Sequence, residues 1–370
     1  MEKQNTRLLK DQLFNRFVVE NVADCILKVY PSFSRNEFID EIINGFSRRE
    51  LKERMSWMRE MIEKYLPNDY KTTLRILVDS LKHAEKIGGF TFSSYADYVM
   101  VNGCDSDYLE LSLNAIGDIT KYFSGEFAIR AFINDFPDQT FEKMYEWSKS
   151  KDVEQRRLSC EGLRPKLPWA KSITFDYKKG ARILENLYFD NERYVTRSVA
   201  NHLNDISKID PDFVVKTLDR WQKSNKQNVK EMSYIIHHSL RTSIKKGHIK
   251  SFEFLGYNHQ PNITIHDLKI KNTTLSLGDY LEFLFSIKAY SDEKLIIDYK
   301  IIYPMMRNKT SQKVFKIKKV SLKCKEMIRI NKRHKFKSMT TKKLYSGNYK
   351  LVVQINGKTY DTLEFKLNVN

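Results

Sequence analysis

The segments KDVEQRRLSCEG (Lys151–Gly162) and NERYVTRSVANH (Asn191–His202) align at a spacing of 40 residues. Each begins with polar residues, carries an arginine at its seventh position (Arg157 and Arg197), and continues into small or apolar residues. A third copy follows at NVKEMSYIIHHSLR (Asn228–Arg241). A period near 40 residues is typical of HEAT-type repeats, in which stacked helix pairs form a solenoid. Arginines at matching repeat positions predict a basic groove along the concave face.

The apolar patterns of the whole sequence predict two domains, and the repeats lie in the first of them. From Leu8 to about Phe254, apolar residues recur at three- and four-residue intervals, which indicates helices. After Gly256, segments rich in β-branched and aromatic residues replace that pattern, and Asn356–Gly357 is a strong hairpin signal. The expected strand segments are 262–270, 280–290, 295–303, 314–322, 348–355 and 362–369. We therefore predict a mostly α protein: a HEAT-like solenoid over residues 1–255, then an immunoglobulin-like β-sandwich without a disulfide over 256–370.

Charge is distributed unevenly over the 370 residues, whose formal net charge is +18. Residues 1–141 carry 18 basic and 22 acidic side chains, a net −4. Residues 142–255 carry 23 and 15, a net +8, and residues 256–370 carry 23 and 9, a net +14. The asymmetry favours a polyanionic partner, either nucleic acid or an anionic membrane, for the middle and C-terminal parts.

Several classes of protein do not fit this sequence. The four cysteines (Cys25, Cys104, Cys160 and Cys324) lie far apart and match no metal-ligand spacing, so we expect a reduced, cytoplasmic protein. Polar residues directly follow Met1, and no apolar run approaches the roughly 20 residues that span a bilayer. Neither G-x-x-x-x-G-K-[ST] nor G-x-G-x-x-G occurs. We expect no metal, no cofactor and no membrane partner, with His237–His238 packed in a helix.

The stretch RRLSCEGLRPKLPW (Arg156–Trp169) combines arginines, a single glutamate, two prolines and a tryptophan. If it closes a helix, Glu161 lies in the last turn, where the helix dipole disfavours a carboxylate. Pro165 and Pro168 then stop the helix and stiffen a turn that presents cations and Trp169. This arrangement suits a planar, cationic ligand on a polyanion. The alternative is a helix end with an ordinary salt bridge and a core tryptophan.

Three segments resemble a known family. They are SGEFAIRAFI (Ser124–Ile133), SCEGLRPKLPWA (Ser159–Ala170) and VANHLNDISKIDP (Val199–Pro211), and they are similar to the AlkC branch of the AlkC/AlkD-like DNA alkylation-repair glycosylases. The resemblance covers the helical region to about residue 250, and many AlkC proteins carry an immunoglobulin-like tail. It implies helical repeats that grip duplex DNA and excise cationic N-alkylated bases.

By motif match, the resemblance places Glu126, Glu161 and Asp205 at the family's active-site carboxylates. Trp169 and Arg164 fall in its aromatic and basic wall. A base alkylated at a ring nitrogen leaves as a neutral molecule, so the barrier reflects positive charge that develops on the deoxyribose. Carboxylates in a dry site stabilise that charge, and one of them orients water. Taken singly, without the resemblance, each acid is better explained as a surface or capping carboxylate.

DNA contacts are expected from cations in both domains. In the helical domain we expect phosphate contacts from Arg130, Arg156, Arg157, Arg193, Arg197, Lys245 and Lys246. In RINKRHKFK (329–337) we expect a basic loop with an aromatic tip, carrying Arg329, Lys332, Arg333, Lys335 and Lys337. The alternative for this loop is a solvated edge that prevents aggregation.

The function that this reasoning predicts is a monofunctional DNA glycosylase for cationic alkylated bases, acting as a monomer in the cytoplasm near the nucleoid. A non-catalytic nucleic-acid-binding scaffold on the same repeats is the second hypothesis. A solenoid that binds an acidic protein is the third.

Overall fold

The computed structural model describes residues 8–84, 90–337 and 343–369. Helices occupy the described chain to Phe254, and strands follow from Ile263. The helices are α1 (Leu9–Leu13), α2 (Arg16–Val29), α3 (Arg35–Phe46), α4 (Leu51–Tyr65), α5 (Tyr70–Ser80), α6 (Ser93–Gly103), α7 (Leu109–Ile119), α8 (Ile129–Asp135), α9 (Pro137–Trp147), α10 (Val153–Glu161), α11 (Tyr177–Leu187), α12 (Arg193–Ile206), α13 (Pro211–Ser224), α14 (Val229–Ser239), α15 (Arg241–Lys246) and α16 (Ile249–Phe254).

The predicted repeat is visible in the contacts between helices. Gln155 Nε2 donates to the carbonyl of Gly117, 38 residues away, and Gln227 Nε2 donates to the carbonyl of Tyr188, 39 residues away. Hydrogen bonds at a nearly constant separation are expected when one structural unit stacks on the next. The helical-repeat prediction is confirmed.

Helix α12 has an apolar face, and burial of this face explains how one repeat packs on the next. Val195, Val199, Leu203 and Ile206 are completely buried and recur at helical spacing, so they form one apolar face. Arg197 is exposed. Helix α12 packs against α10, the helix of the preceding repeat copy. Burial of this face fixes which polar residues of α12 lie next to the end of α10.

The C-terminal strands form a sandwich of two sheets. They are β1 (Ile263–Ile270), β2 (Thr274–Ser276), β3 (Tyr280–Ala289), β4 (Glu293–Pro304), β5 (Thr310–Leu322), β6 (Met327–Lys335), β7 (Gly347–Ile355) and β8 (Lys358–Asn368). One sheet has the order β1-β3-β6 and the other β2-β8-β7-β4-β5, with only β2 and β8 parallel among these pairs. Every second residue of β3 from Leu281 to Ala289 is buried in the core between the sheets.

The hairpin at Asn356–Gly357 joins β7 and β8 as predicted. Both residues have positive φ, 46° and 81°, as a type I′ turn requires. The buried side chain of Asn356 also links the turn to neighbouring segments. Its Oδ1 accepts from the backbone amide of Ile296 at 2.7 Å. Its Nδ2 donates to the carbonyls of Asn258 at 2.7 Å and Lys294 at 2.9 Å.

The segment 329–337 is mostly a strand, and the predicted basic loop with an aromatic tip is wrong. Residues to Lys335 belong to β6, an edge strand paired with β3. Phe336 is 2% exposed and lies in the sandwich core. The cations Arg329, Arg333, Lys335 and Lys337 are exposed, whereas Lys332 is half-buried.

Two compact units form among the described residues. One holds the chain up to Ile206 together with Ser224–Ile236, and the other holds Ser207–Lys223 together with the chain from His237 onward. All residues of the acid network and the adjoining cavity described below, from Lys52 to Asp205, belong to the first unit. The boundary at residues 255 and 256 stays a prediction.

Candidate active site

Glu161 is the last residue of α10, the position predicted for it. Asp152 begins this helix, because its Oδ1 accepts from the amides of Glu154 at 2.9 Å and Gln155 at 3.1 Å. At the other end, a Cβ on Gly162 would lie 2.7 Å from a methyl of Ile129, so glycine permits the close packing. Glu161 is 5% exposed at the negative end of the helix dipole, and its carboxylate requires positive partners.

Arg164 supplies that positive partner and reaches a second acid. Its Nη1 donates to Glu161 Oε1 at 2.5 Å, and its Nε donates to Asp205 Oδ2 at 2.9 Å. Burial opposes the charge on Arg164, but the two carboxylates outweigh it and leave the pKa of the guanidinium raised. The predicted basic wall residue is therefore a permanently charged bridge between two acids.

Arg157 extends the same network to the third acid. Its Nη1 lies 2.9 Å from Glu126 Oε2, and its Nη2 lies 3.9 Å from Glu161 Oε1. Ser124 Oγ donates to Glu126 Oε2 at 3.1 Å, in the turn that precedes α8. The guanidinium also lies over the ring of Tyr194, 4.7 Å from its centroid. Arg157 was expected at a phosphate but is bound within this network.

The three predicted acids thus belong to one continuous chain of ion pairs. It runs Glu126, Arg157, Glu161, Arg164, Asp205, and its three carboxylates and two guanidiniums leave a formal charge of −1. The acid side chains are 19%, 6% and 1% exposed in chain order, so water screens this charge weakly. The buried guanidinium of Arg130 also interacts electrostatically with Glu126 and Asp205, so the −1 describes these five residues and not their whole surroundings.

One face of α12 holds the end of α10. Ser198 Oγ donates to Glu161 Oε2 at 2.5 Å, and His202 Nδ1 lies 3.0 Å from the carbonyl oxygen of Cys160. Since a carbonyl only accepts, His202 Nδ1 is the donor. Complete burial lowers the pKa of His202 to about 4, so its imidazole is neutral at physiological pH.

Trp169 is exposed rather than buried under the proline turn. Its exposed fraction is 68%, and its φ of 64° lies in the left-handed region that non-glycine residues rarely adopt. Lys52 Nζ donates to its carbonyl oxygen. Trp169 borders a cavity of about 130 Å³ whose wall includes Phe127, Asp97 and Ser124. The alternative of a core tryptophan is wrong, and the indole is available to a ligand.

Arg130 is buried and does not have the exposure that the predicted phosphate contact requires. It is 1% exposed, and its guanidinium donates to the backbone carbonyls of Gly162 at 2.8 Å, Arg164 at 2.9 Å and Lys171 at 2.5 Å. Burial, with help from the charge of Arg164, lowers the pKa of Arg130 to about 10. The expected phosphate contact does not fit this geometry, because Arg130 instead holds the turn that carries Arg164 and Trp169.

The other cations predicted to contact DNA differ in how far they are exposed and in whether an acidic side chain already pairs with them. Arg156 is bound to Asp190 at 2.6 Å, and Arg193 to Glu231 at 2.5 Å with nearly half of its side chain exposed. The exposed cations are Arg197, Lys245, Lys246, Arg329, Arg333, Lys335 and Lys337. Arg333 also pairs with Glu282 at 3.0 Å and lies over the ring of Tyr280.

Sequence reasoning missed Ser198, Lys52 and Lys171. Ser198 comes one residue after Arg197 in the repeat, yet nothing local shows that its hydroxyl meets Glu161. Lys52 and Lys171 border the cavity beside Trp169 although they are 119 residues apart in the chain. Only the stacking of repeats brings such residues together.

In residues 8–84, 90–337 and 343–369, no group of three or more histidine, cysteine or acidic side chains is placed to hold a metal ion. Within the same ranges, no helix has both the length and the apolar character needed to cross a bilayer.

Fold and site together define a helical-repeat protein with a buried acid–arginine network and an immunoglobulin-like C-terminal sandwich. The DNA alkylation repair enzyme family matches residues 110–246, and the C-terminal Ig-like domain of the uncharacterised protein YhaZ matches residues 264–369. The chain is 34% identical to uncharacterized protein YhaZ of Bacillus subtilis, over 96% of this chain and 98% of that one.

A solved structure is similar over nearly its whole length. It is the alkylpurine DNA glycosylase AlkC of Pseudomonas fluorescens, bound to DNA containing an abasic site analog. The TM-score is 0.87 at 30% identity, covering 97% of this chain and 99% of that one. The chain belongs to the DNA alkylation repair enzyme family, in its AlkC branch.

Proposed function

We propose that this protein is a DNA glycosylase that hydrolyses the N-glycosidic bond of cationic N-alkylated bases in duplex DNA. The lesions are of the 3-methyladenine and 3-methylcytosine type, and the product is an abasic site. The observation that carries the proposal is the continuous network joining Glu126, Glu161 and Asp205. The AlkC structure from Pseudomonas fluorescens, which is bound to DNA, supports duplex DNA as the partner.

The chemistry follows from the fixed carboxylates of the network. The cationic base departs as a neutral molecule, so positive charge moves to the deoxyribose in the transition state. Carboxylates that ion pairs already hold in a weakly screened network stabilise that charge without reorganising. Glu126 is the most exposed of the three acids, which supports it as the acid that faces the sugar and orients water. Glu161 and Asp205 contribute through their charges and through the arginines they fix.

Trp169 and the exposed cations complete the proposed binding surface. An exposed indole attracts a cationic base by about 0.5–2 kcal/mol and gives preference to charged lesions. Arg197 and Arg193 bind phosphates and position the duplex without reading its sequence. The protein acts as a monomer.

The decisive experiment is release of methylated base from duplex DNA. Wild-type protein is compared with Glu161→Gln and Asp205→Asn, and each variant should lose about 10²–10³-fold in rate. Asp190→Asn is the matched control, because the side chain of Asp190 is only 6% exposed and pairs with an arginine, Arg156, outside the network. A uracil-containing duplex tests the requirement for a cationic base and should not be processed.

The outcomes separate the competing hypotheses. Duplex binding by wild-type protein without any release of base would indicate a non-catalytic scaffold. A complex with an acidic protein, in the absence of duplex binding, would indicate an interaction solenoid. Equal losses in Asp190→Asn and the two network variants would show that general destabilisation, not catalysis, explains the effect.

A further inference from the structure

Ser198, His202 and Asp205 lie on one face of α12, at positions i, i+4 and i+7. All three meet the end of α10 or the turn that follows it. Asp205 receives Arg164, His202 donates to the carbonyl of Cys160, and Ser198 donates to the carboxylate of Glu161. This face therefore fixes the backbone next to Glu161 and the carboxylate itself through separate contacts.

The contact of Ser198 differs from the usual behaviour of a helical serine. Such hydroxyls commonly bond a carbonyl of the preceding turn in their own helix. Ser198, which is 2% exposed, instead points across to Glu161 Oε2 at 2.5 Å, the distance of a charge-assisted hydrogen bond. Arg164 binds the other oxygen, Oε1, also at 2.5 Å. Each oxygen of Glu161 thus has its own donor, and the carboxylate cannot rotate without breaking one of them.

We propose that Ser198 is a positioning residue for the glycosylase reaction, which holds the Glu161 carboxylate in the orientation that stabilises the transition state. This inference rests on the proposed function. Without the hydroxyl, one buried oxygen of Glu161 loses its donor, and the contacts of the arginines with Oε1 alone no longer fix the orientation of the carboxylate. The site then reorganises during the reaction, and the rate falls while DNA binding persists.

The test measures single-turnover base release and duplex affinity separately. Ser198→Ala should release base about ten- to hundredfold more slowly, the loss expected for one hydrogen bond to a charged group, with an unchanged Kd for DNA. Ser198→Thr retains a hydroxyl and should recover most of the rate. Ser159→Ala is the matched control, since Ser159 is a completely buried serine of α10 that donates only to the carbonyl of Arg156 in its own helix.

Thermal unfolding of all four proteins shows whether each remains folded at the assay temperature. Wild-type rate in Ser198→Ala, equal losses in Ser198→Ala and Ser159→Ala, or a folded Ser198→Thr as slow as Ser198→Ala would each overturn the inference while the glycosylase function stands. No release by wild-type protein would overturn the proposed function, and this inference with it.

Discussion

Arg164 Nε lies 2.9 Å from Asp205 Oδ2, and both side chains are less than a tenth exposed. The two residues are 41 positions apart, about one repeat. An ion pair at this depth does little for stability by itself, because desolvation opposes the attraction. Its value is that it holds one acid and one cation from successive repeats at fixed positions beside Glu161.

Removal of Arg164 should therefore destabilise the fold. Arg164→Met leaves Glu161 and Asp205 buried without their shared cation, and we expect the free energy of unfolding to fall by about 3–5 kcal/mol. Urea denaturation at neutral pH measures this change. Arg197→Met removes an exposed arginine of α12 and should stay within about 0.5 kcal/mol of wild type. Small, equal changes in both variants would contradict a network held by Arg164.

Trp169 should affect activity more than stability. Its side chain is largely exposed, and its φ of 64° is strained for any residue except glycine. We expect Trp169→Gly to be more stable than Trp169→Ala by about 1 kcal/mol, because only glycine adopts this conformation without cost. Both variants should release a cationic base about 2- to 30-fold more slowly, from the lost attraction of about 0.5–2 kcal/mol. Full activity in both variants would remove the indole from the proposed site.

The fold was predictable because its signals are local or periodic. Helical spacing of apolar residues, a 40-residue repeat and the Asn356–Gly357 turn each act over short stretches, and all are present in the structure. Strand β6 was missed although Ile328, Ile330 and His334 all lie at the less exposed positions of its alternating pattern. The cations between them obscured that alternation, and a polar outward face is typical of an edge strand.

The site was predictable only in part. Two prolines after Glu161 indicated a helix end, and the family resemblance supplied the other acids. The role of Arg130 was not predictable, since an arginine that binds three backbone carbonyls looks in sequence like one that binds phosphate. Ser198 and Glu161 are 37 residues apart, and only packing of α12 on α10 brings them into contact.

Arg197 should contribute to the salt dependence of DNA binding. It is exposed at the repeat position that matches Arg157, and we expect it to neutralise one phosphate. Arg197→Gln should reduce the slope of log K against log salt by about 1. Fluorescence anisotropy between about 50 and 200 mM salt measures the slope. Lys82→Gln removes an exposed lysine that pairs with Asp79 in the acidic N-terminal part, and should leave the slope unchanged. Equal slopes in all three proteins would exclude the contact.

The last prediction concerns Asp298 of β4, which is 4% exposed in the sandwich. Burial raises the pKa of its carboxyl from 3.8 to about 6, although Lys316 and Lys245 act in the opposite direction. The folded state therefore binds this proton more tightly than the unfolded chain does. The resulting stability is fully present below about pH 3.8 and is lost as the pH rises through about 6.

Asp298→Asn replaces the buried charge by a neutral group of the same shape. We expect it to be more stable than wild type at pH 7.5 by on the order of 2–3 kcal/mol, with the difference vanishing near pH 4. His334, whose pKa is lowered to about 4, titrates in the same range but is present in both proteins, so its effect cancels. Asp292→Asn is the control: Lys323 lowers the pKa of this exposed carboxyl, so neutralising it should not stabilise the sandwich. Urea denaturation across this pH range measures both differences, and a pH-independent effect of Asp298→Asn would mean that packing, not charge, is responsible.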